Sequence, residues 1–135
     1  YCDERVKELA VKRGASDITE GDHDPLDICV LSSHNVPVGG ILLEAVPIGG
    51  FKMIDKGEAD DKIVAVLVDD QSYGHIKDIS ELPKAEVDRL MHYFLTYKNL
   101  PGEPVACRID EVYDAKHAKE VIKASQEDYQ EKYKG

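Results

Sequence analysis

Asp22, Asp24 and Asp27 fall within the six residues Asp22-His23-Asp24-Pro25-Leu26-Asp27, and their type and spacing could do chemistry. Three carboxylates gathered in one cleft repel one another, so a fold that gathers them needs bound cations to hold them there. Oxygen donors of this kind favour hard divalent ions such as Mg²⁺, Mn²⁺ or Ca²⁺. On an extended backbone Asp22 and Asp24 share a face, and Pro25 fixes its own φ and restrains Asp24, which swings Asp27 back toward the same point. The same residues also make a solvated acidic turn with an Asx cap. A short acidic motif alone does not choose between the two.

A second acidic cluster runs from Asp55 to Asp61. Asp55 and Asp60 are expected to flank the tip of one hairpin, where their carboxylates can converge despite the four residues between them. Two such clusters on neighbouring loops suit two or more divalent cations, one activating water while another neutralises a leaving oxygen. A solvated hairpin tip is the plain alternative. Lys62 and the pair Tyr97-Lys98 are the complement, because an ammonium and a phenol both donate to phosphoryl oxygens. Lys62 can equally be an edge-strand charge, and Lys98 can offset a helix dipole. The five histidines show no metal-ligand spacing, and nucleophile elbows, P-loops and dinucleotide fingerprints are absent.

Several elements must position these residues. Ile28 to Leu31 reads as a buried strand directly after the first cluster. Ile41 to Ile54 is β-rich and interrupted by Pro47 and Gly49-Gly50, which predicts a bulge or sharp bend. Ile63 to Val68 is the strongest strand, and the polar connection Asp69 to Ile79 follows it. Residues 83–98 open on Pro83 and carry Val87, Leu90, Met91, Phe94 and Leu95 at helical spacing. Val105 to Val112 is expected as a strand. A last helix from about Asp114 to Tyr133 places Ala118, Val121, Ile122, Ser125 and Tyr129 on one side. Asp3 to Arg13 reads either as a short helix, with Asp3 as cap and Gly14 as stop, or as an irregular excursion.

Length and charge narrow the function. At 135 residues the chain fits a single domain, 1–135. A net charge of −10 argues against a nucleic-acid partner, whose phosphates require Lys and Arg. Cations must then supply much of the positive charge if phosphate is handled. The longest apolar run is too short to span a bilayer, so no membrane partner is expected. Three widely spaced cysteines without a Cys-x-x-Cys pair read as reduced thiols, which points to the cytoplasm.

Four ordered blocks then carry a resemblance. Gly21-Asp22-x-Asp24-Pro25-Leu26-Asp27 before an apolar strand resembles the signature of the family I soluble inorganic pyrophosphatases. Lys52-Met53-Ile54-Asp55, followed by Asp60 and Lys62, is similar to that family's second metal-binding segment. His75-Ile76-Lys77-Asp78-Ile79 and Tyr97-Lys98-Asn99-Leu100 resemble later blocks. The resemblance implies an α+β, mainly β fold: an OB-like five-stranded barrel flanked by helices. It further implies Mg²⁺-dependent hydrolysis of pyrophosphate to two orthophosphates by direct attack of a metal-activated water, with Mn²⁺ or Zn²⁺ as substitutes, in a homo-oligomer. Carried over by position, Asp22, Asp27, Asp55 and Asp60 are implied metal ligands, with Asp27 bridging two ions. Asp24 is the implied base, and Lys62, Tyr97 and Lys98 hold phosphate oxygens.

Two departures accompany the resemblance. The family has an earlier segment that supplies the first part of the barrel and further substrate-facing residues, so the chain is expected to be the C-terminal portion of a longer protein; a shortened, inactive homologue is the alternative. His23 stands where the family usually has a small residue, and is expected to be exposed rather than a nitrogen ligand. A divalent-cation-binding module without catalysis is a further alternative, since Asp-x-Asp-x-x-Asp matches the start of an EF-hand loop. Pro25, the lack of glycine at the sixth position, and Ser33 at the place of the bidentate glutamate count against it. An OB module for nucleic acid conflicts with the acidity.

Overall fold

A computed structural model describes residues 20–21 and 24–133. The candidate helix over Asp3 to Arg13, and with it Asp22 and His23, lies outside the described residues. The strands are β1 (Glu20–Gly21), β2 (Asp27–Leu31), β3 (Ala45–Asp55), β4 (Glu58–Ala59), β5 (Lys62–Leu67) and β6 (Cys107–Asp114). The helices are α1 (Lys84–Thr96) and α2 (Ala115–Tyr133), with a 3-10 turn at Ile79–Glu81. All six strands join one sheet in the order β1-β4-β3-β5-β2, and β6 pairs with the other edge of β3. The sheet curls into a partial barrel with the two helices packed against it, so the mainly-β, OB-like expectation holds.

Strand β3 is the spine. It runs antiparallel to β5 over Ala45 to Phe51 and to β6 over Gly49 to Asp55, while β2 lies parallel to β5. The expected bulge falls between Pro47 and Gly49, where the register to β5 shifts. The hairpin tip is tighter than a seven-residue loop. Lys56 and Gly57 both have positive φ, 52° and 81°, and Asp55 pairs with Glu58 across them. Two consecutive residues with positive φ make a turn whose twist matches the flanking strands.

Side chains alternate between the two faces of the sheet. On one face Phe51, Met53, Val64 and Val66 pack with Ile79, Leu82 and Phe94 beneath α1, where Phe51 and Phe94 meet edge to face at 5.9 Å. On the other, Ile63 and Tyr113 pack with Ala118 and Val121 of α2. The stripe expected on the last helix is half realised: Tyr129, two turns beyond Val121, is exposed. Strand β2 also departs from expectation. Ile28 is 49% exposed and no residue of β2 is buried, because among the described strands β2 pairs only with β5 and ends the row.

The polar connection after β5 is a set of staples. Asp70 accepts from the N–H groups of Ser33, Ser72 and Tyr73 and from the hydroxyls of Ser32 and Ser33, which ties the end of β2 to the end of β5. Asp78 accepts from Ser80 and from the N–H of Ala115, so one carboxylate caps the 3-10 turn and anchors the start of α2. Gly49 and Gly50 leave room on opposite faces. A Cβ on Gly49 would lie 2.6 Å from the Tyr113 carbonyl and 2.7 Å from Ile79, whereas one on Gly50 would strike the Tyr113 ring at 2.5 Å.

Two outcomes follow. Gly49→Ala is expected to lower unfolding free energy by about 1–3 kcal/mol, because the obstructing carbonyl is backbone and cannot step aside; urea denaturation with an unchanged midpoint would contradict the packing. The Asp70 carboxyl is held well below its usual range, chiefly by the Ser33 N–H, with burial opposing and the Tyr73 and Ser72 N–H groups adding to the depression. Its contribution is therefore present above the ordinary carboxylate pKa and lost as pH falls toward the depressed value. Thermal unfolding of Asp70→Ala should show a deficit relative to wild type that is full at pH 6 and narrows below about pH 4.

Candidate active site

The parallel register of β2 and β5 sets Asp27 beside Lys62. Paired residues on adjacent strands project to the same face, so these two side chains must meet. Leu26, one residue earlier, packs on the α2 face and leaves Asp27 to point the other way. Lys62 is 1% exposed, and its ammonium donates to Asp27 Oδ2 and to Asp60 Oδ1, each at 2.6 Å. Asp60 is itself buried, and its N–H bonds to the Met53 carbonyl, which continues the β3–β4 pairing by one residue. Lys62 is therefore no edge-strand charge, and Asp60 no solvated tip.

Burial of Lys62 pulls its pKa down, but hydrogen bonds and charges from Asp27 and Asp60 overcome this, and the ammonium is held above its usual range. It stays protonated because two carboxylates share it.

Asp55 closes the other end of the cluster. The Lys98 ammonium lies 3.7 Å from Asp55 Oδ2, and the Cys107 thiol donates to Asp55 Oδ1 at 3.4 Å. Lys98 is carried by the end of α1, and that end is fixed by aromatic contacts. Tyr97 stacks on Tyr93 at 5.1 Å and meets Phe94 edge-on at 6.4 Å, while Phe94 in turn packs on Phe51 of β3. Burial lowers the Lys98 pKa, yet the neighbouring Tyr97 and the charge of Asp60 raise it, and the net direction is upward. Burial is also the main reason the Cys107 thiol is pushed up, with Asp55 adding to it.

Of the residues singled out from sequence, Asp27, Lys62 and Asp60 thus form one set of contacts and Asp55 and Lys98 another, with Tyr97 next to Lys98 at the end of α1. Asp24 is exposed three positions before Asp27, and Asp22 lies outside the described residues. Sequence reasoning missed Cys107, which reaches Asp55 only through strand register, and Asp61, whose carboxylate turns to the opposite face and accepts from Tyr113 Oη at 3.0 Å. The alternation of neighbours Asp60 and Asp61 was the available signal for the latter.

Among the described residues no group of three His, Cys, Asp or Glu side chains is arranged to hold a metal ion. The donor chemistry nonetheless fits hard divalent cations. Asp27 and Asp60 are oxygen donors already drawn to one positive centre, the Lys62 ammonium.

The curled sheet flanked by two helices, with aspartates bridged by a buried lysine on one face, places the chain in a class of mainly-β, partial-barrel proteins with a charged site. Comparison with known proteins narrows it: the family model described as Inorganic pyrophosphatase matches residues 9–130, and the chain belongs to that family. An inorganic pyrophosphatase of Chlamydia muridarum is 46% identical over 134 residues, covering 96% of this chain and 64% of the relative. The soluble inorganic pyrophosphatase 2 of Chlamydomonas reinhardtii is 41% identical over 112 residues, 83% of this chain and 57% of its own. Crystal structures of inorganic pyrophosphatases superpose with this chain, two of the similar ones at a TM-score of 0.72. That from Neisseria gonorrhoeae is 35% identical over 81% of this chain and 62% of its own, and that from Thermus thermophilus 32% over 81% and 63%. The chain therefore spans about 64% of the length of the Chlamydia relative.

Removing the bridging cation should destabilise the fold more than removing its exposed partner. Lys62→Met leaves the buried Asp60 carboxylate without its ammonium and is expected to lower unfolding free energy by about 3 kcal/mol. Asp27→Asn, whose side chain is 65% exposed, should lower it by less than about 1 kcal/mol. Urea titrations giving equal losses for both would contradict the asymmetry.

Proposed function

We propose that the protein hydrolyses inorganic pyrophosphate to two orthophosphates with the help of divalent cations, Mg²⁺ foremost and Mn²⁺ or Zn²⁺ as substitutes. One observation carries the reading: in a chain of the pyrophosphatase family, Asp27, Lys62 and Asp60 are joined on the face where Lys98 reaches Asp55. Family membership and this arrangement support the same chemistry independently.

Asp22, Asp27, Asp55 and Asp60 are assigned as the cation ligands. Bound there, divalent cations supply the positive charge that offsets the diphosphate and make a water acidic enough to attack near neutral pH. The protein's own groups do the rest. Asp24, exposed and three positions before Asp27, is assigned to take the proton of the attacking water. The Lys62 ammonium spends two of its three N–H donors on Asp27 and Asp60, and the third is assigned to a phosphate oxygen. Tyr97 and Lys98 hold further phosphate oxygens from the end of α1. Such sites work by neutralising charge and aligning the reactants, with no covalent intermediate required.

Residues 1–135 are read as one catalytic domain. A cytoplasmic location is part of the proposal, supported by the free thiols of Cys29 and Cys107. No helix of the described residues is long and apolar enough to cross a membrane. Self-association into a homo-oligomer is included as well, and the exposed side chains of Val38, Ile41 and Leu42 support it.

The full-length protein should release orthophosphate from pyrophosphate in the presence of Mg²⁺ and lose that activity on chelation. Asp27→Asn is expected to lower kcat by at least about 100-fold. A phosphate-release assay in which chelator or this substitution leaves turnover near wild type would overturn the assignment.

A further inference from the structure

Strand β6 carries a residue that reaches the acidic cluster from behind. Tyr113 is 4% exposed and pairs with Gly50 of β3, which in turn pairs with Ile63 of β5. Its ring therefore lies across β3, above a position with no side chain. Any Cβ on Gly50 would meet ring atoms at 2.5 and 2.8 Å, so the bare strand is the condition for the crossing. Beyond Gly50 the phenol donates to Asp61 Oδ2 at 3.0 Å, a contact between residues 52 positions apart.

Asp61 is 7% exposed and sits between Asp60 and Lys62. Consecutive residues of an extended backbone point to opposite faces. Fixing Asp61 toward α2 therefore fixes Asp60 and Lys62 toward α1, where their ion pair forms. Asp60 and Asp61 are the two-residue link between β4, which ends at Ala59, and β5, which starts at Lys62. The Asp60 N–H bonds to the Met53 carbonyl and Lys62 pairs with Asp27 and Phe51, so the backbone is tied on either side of Asp61, and the phenol anchors the side chain of that middle residue. His117, the second contact of the ring, stacks on Tyr113 at 4.4 Å and holds the phenol from the α2 side.

We propose that Tyr113 is a positioning residue for the acidic site, acting through Asp61 to hold Asp60 and Lys62 in the orientation that pairs them. It touches neither substrate nor cation. Its contribution to turnover rests on the pyrophosphatase reading, whereas its contribution to the Lys62 geometry does not.

The test uses the full-length protein and two readouts. Tyr113→Phe deletes one oxygen and keeps the buried ring. It is expected to speed hydrogen exchange of the Lys62 ammonium, followed by side-chain ¹⁵N NMR, about tenfold, and to lower kcat about tenfold with KM little changed. Asp61→Ala should match it, the double variant should be no worse than either single one, and Asp61→Asn, which keeps an acceptor oxygen, should recover most of the loss. A purely structural role would lower the thermal midpoint and leave Lys62 exchange as in wild type, and that result overturns the proposal. Additive losses in the double variant overturn it too. Should Tyr113→Phe fail to fold, Asp61→Ala decides alone: wild-type Lys62 exchange refutes the proposal, and faster exchange supports it. If the wild-type protein does not hydrolyse pyrophosphate, the functional reading falls, and the exchange readout still judges Tyr113.

Discussion

One ammonium shared by two carboxylates is the constraint around which this sheet is arranged. A lysine with 1% of its surface exposed is tolerated only if opposite charge meets it at hydrogen-bonding distance, and Asp27 and Asp60 do so at 2.6 Å each. Each partner imposes a condition on the backbone. Asp27 requires β2 to run parallel to β5 in a register that aligns their first residues. Asp60 requires the tight turn at Lys56-Gly57, which returns the chain to the face from which Asp55 points. A slip of one residue in either pairing would send the carboxylate to the opposite face and strand the lysine.

The two faces of the sheet divide the work. Beneath α1 the charged cluster shares its face with an apolar core, and the Phe51–Phe94 contact fixes the helix end that delivers Tyr97 and Lys98. Beneath α2 the smaller core around Ile63 and Tyr113 supports the same three residues, Asp60, Asp61 and Lys62, from the other side. Gly49 and Gly50 make this possible, because each leaves a bare spot where a side chain or backbone group from another element must approach the central strand. The pair thus serves packing, and the bulge after Pro47 lies next to it.

The charge balance agrees with the family. On the proposed function, a chain of net charge −10 whose site lysines are paired with aspartates has little positive charge left for a diphosphate, and divalent cations are the proposed source of the remainder. Outside the site, carboxylates act as fasteners. Asp70 and Asp78 collect backbone N–H groups from segments far apart in sequence, which locks the connections that hold β2 and α2 to the sheet.

By itself the sequence determined the local elements and, through its resemblance to a family, suggested the kind of chemistry. Helical spacing marked α1 and α2, β-branched runs marked β5, and the ordered blocks holding the aspartates, Lys62 and Tyr97-Lys98 carried the resemblance to a family. These are short-range signals, carried by periodicity and residue type. Burial and partnership were decided only in three dimensions. Ile28 to Leu31 has the composition of an interior strand, yet β2 ends the row of described strands and leaves Ile28 half exposed. Asp60 and Lys62 look like surface charges in sequence, yet they are buried together. Cys107 and Tyr113 carry no local sign of the aspartates they touch, because each contact spans 52 positions and exists only through the register of β6 on β3. Register is a property of the whole sheet, set by packing on both faces at once, and no window of neighbouring residues contains it.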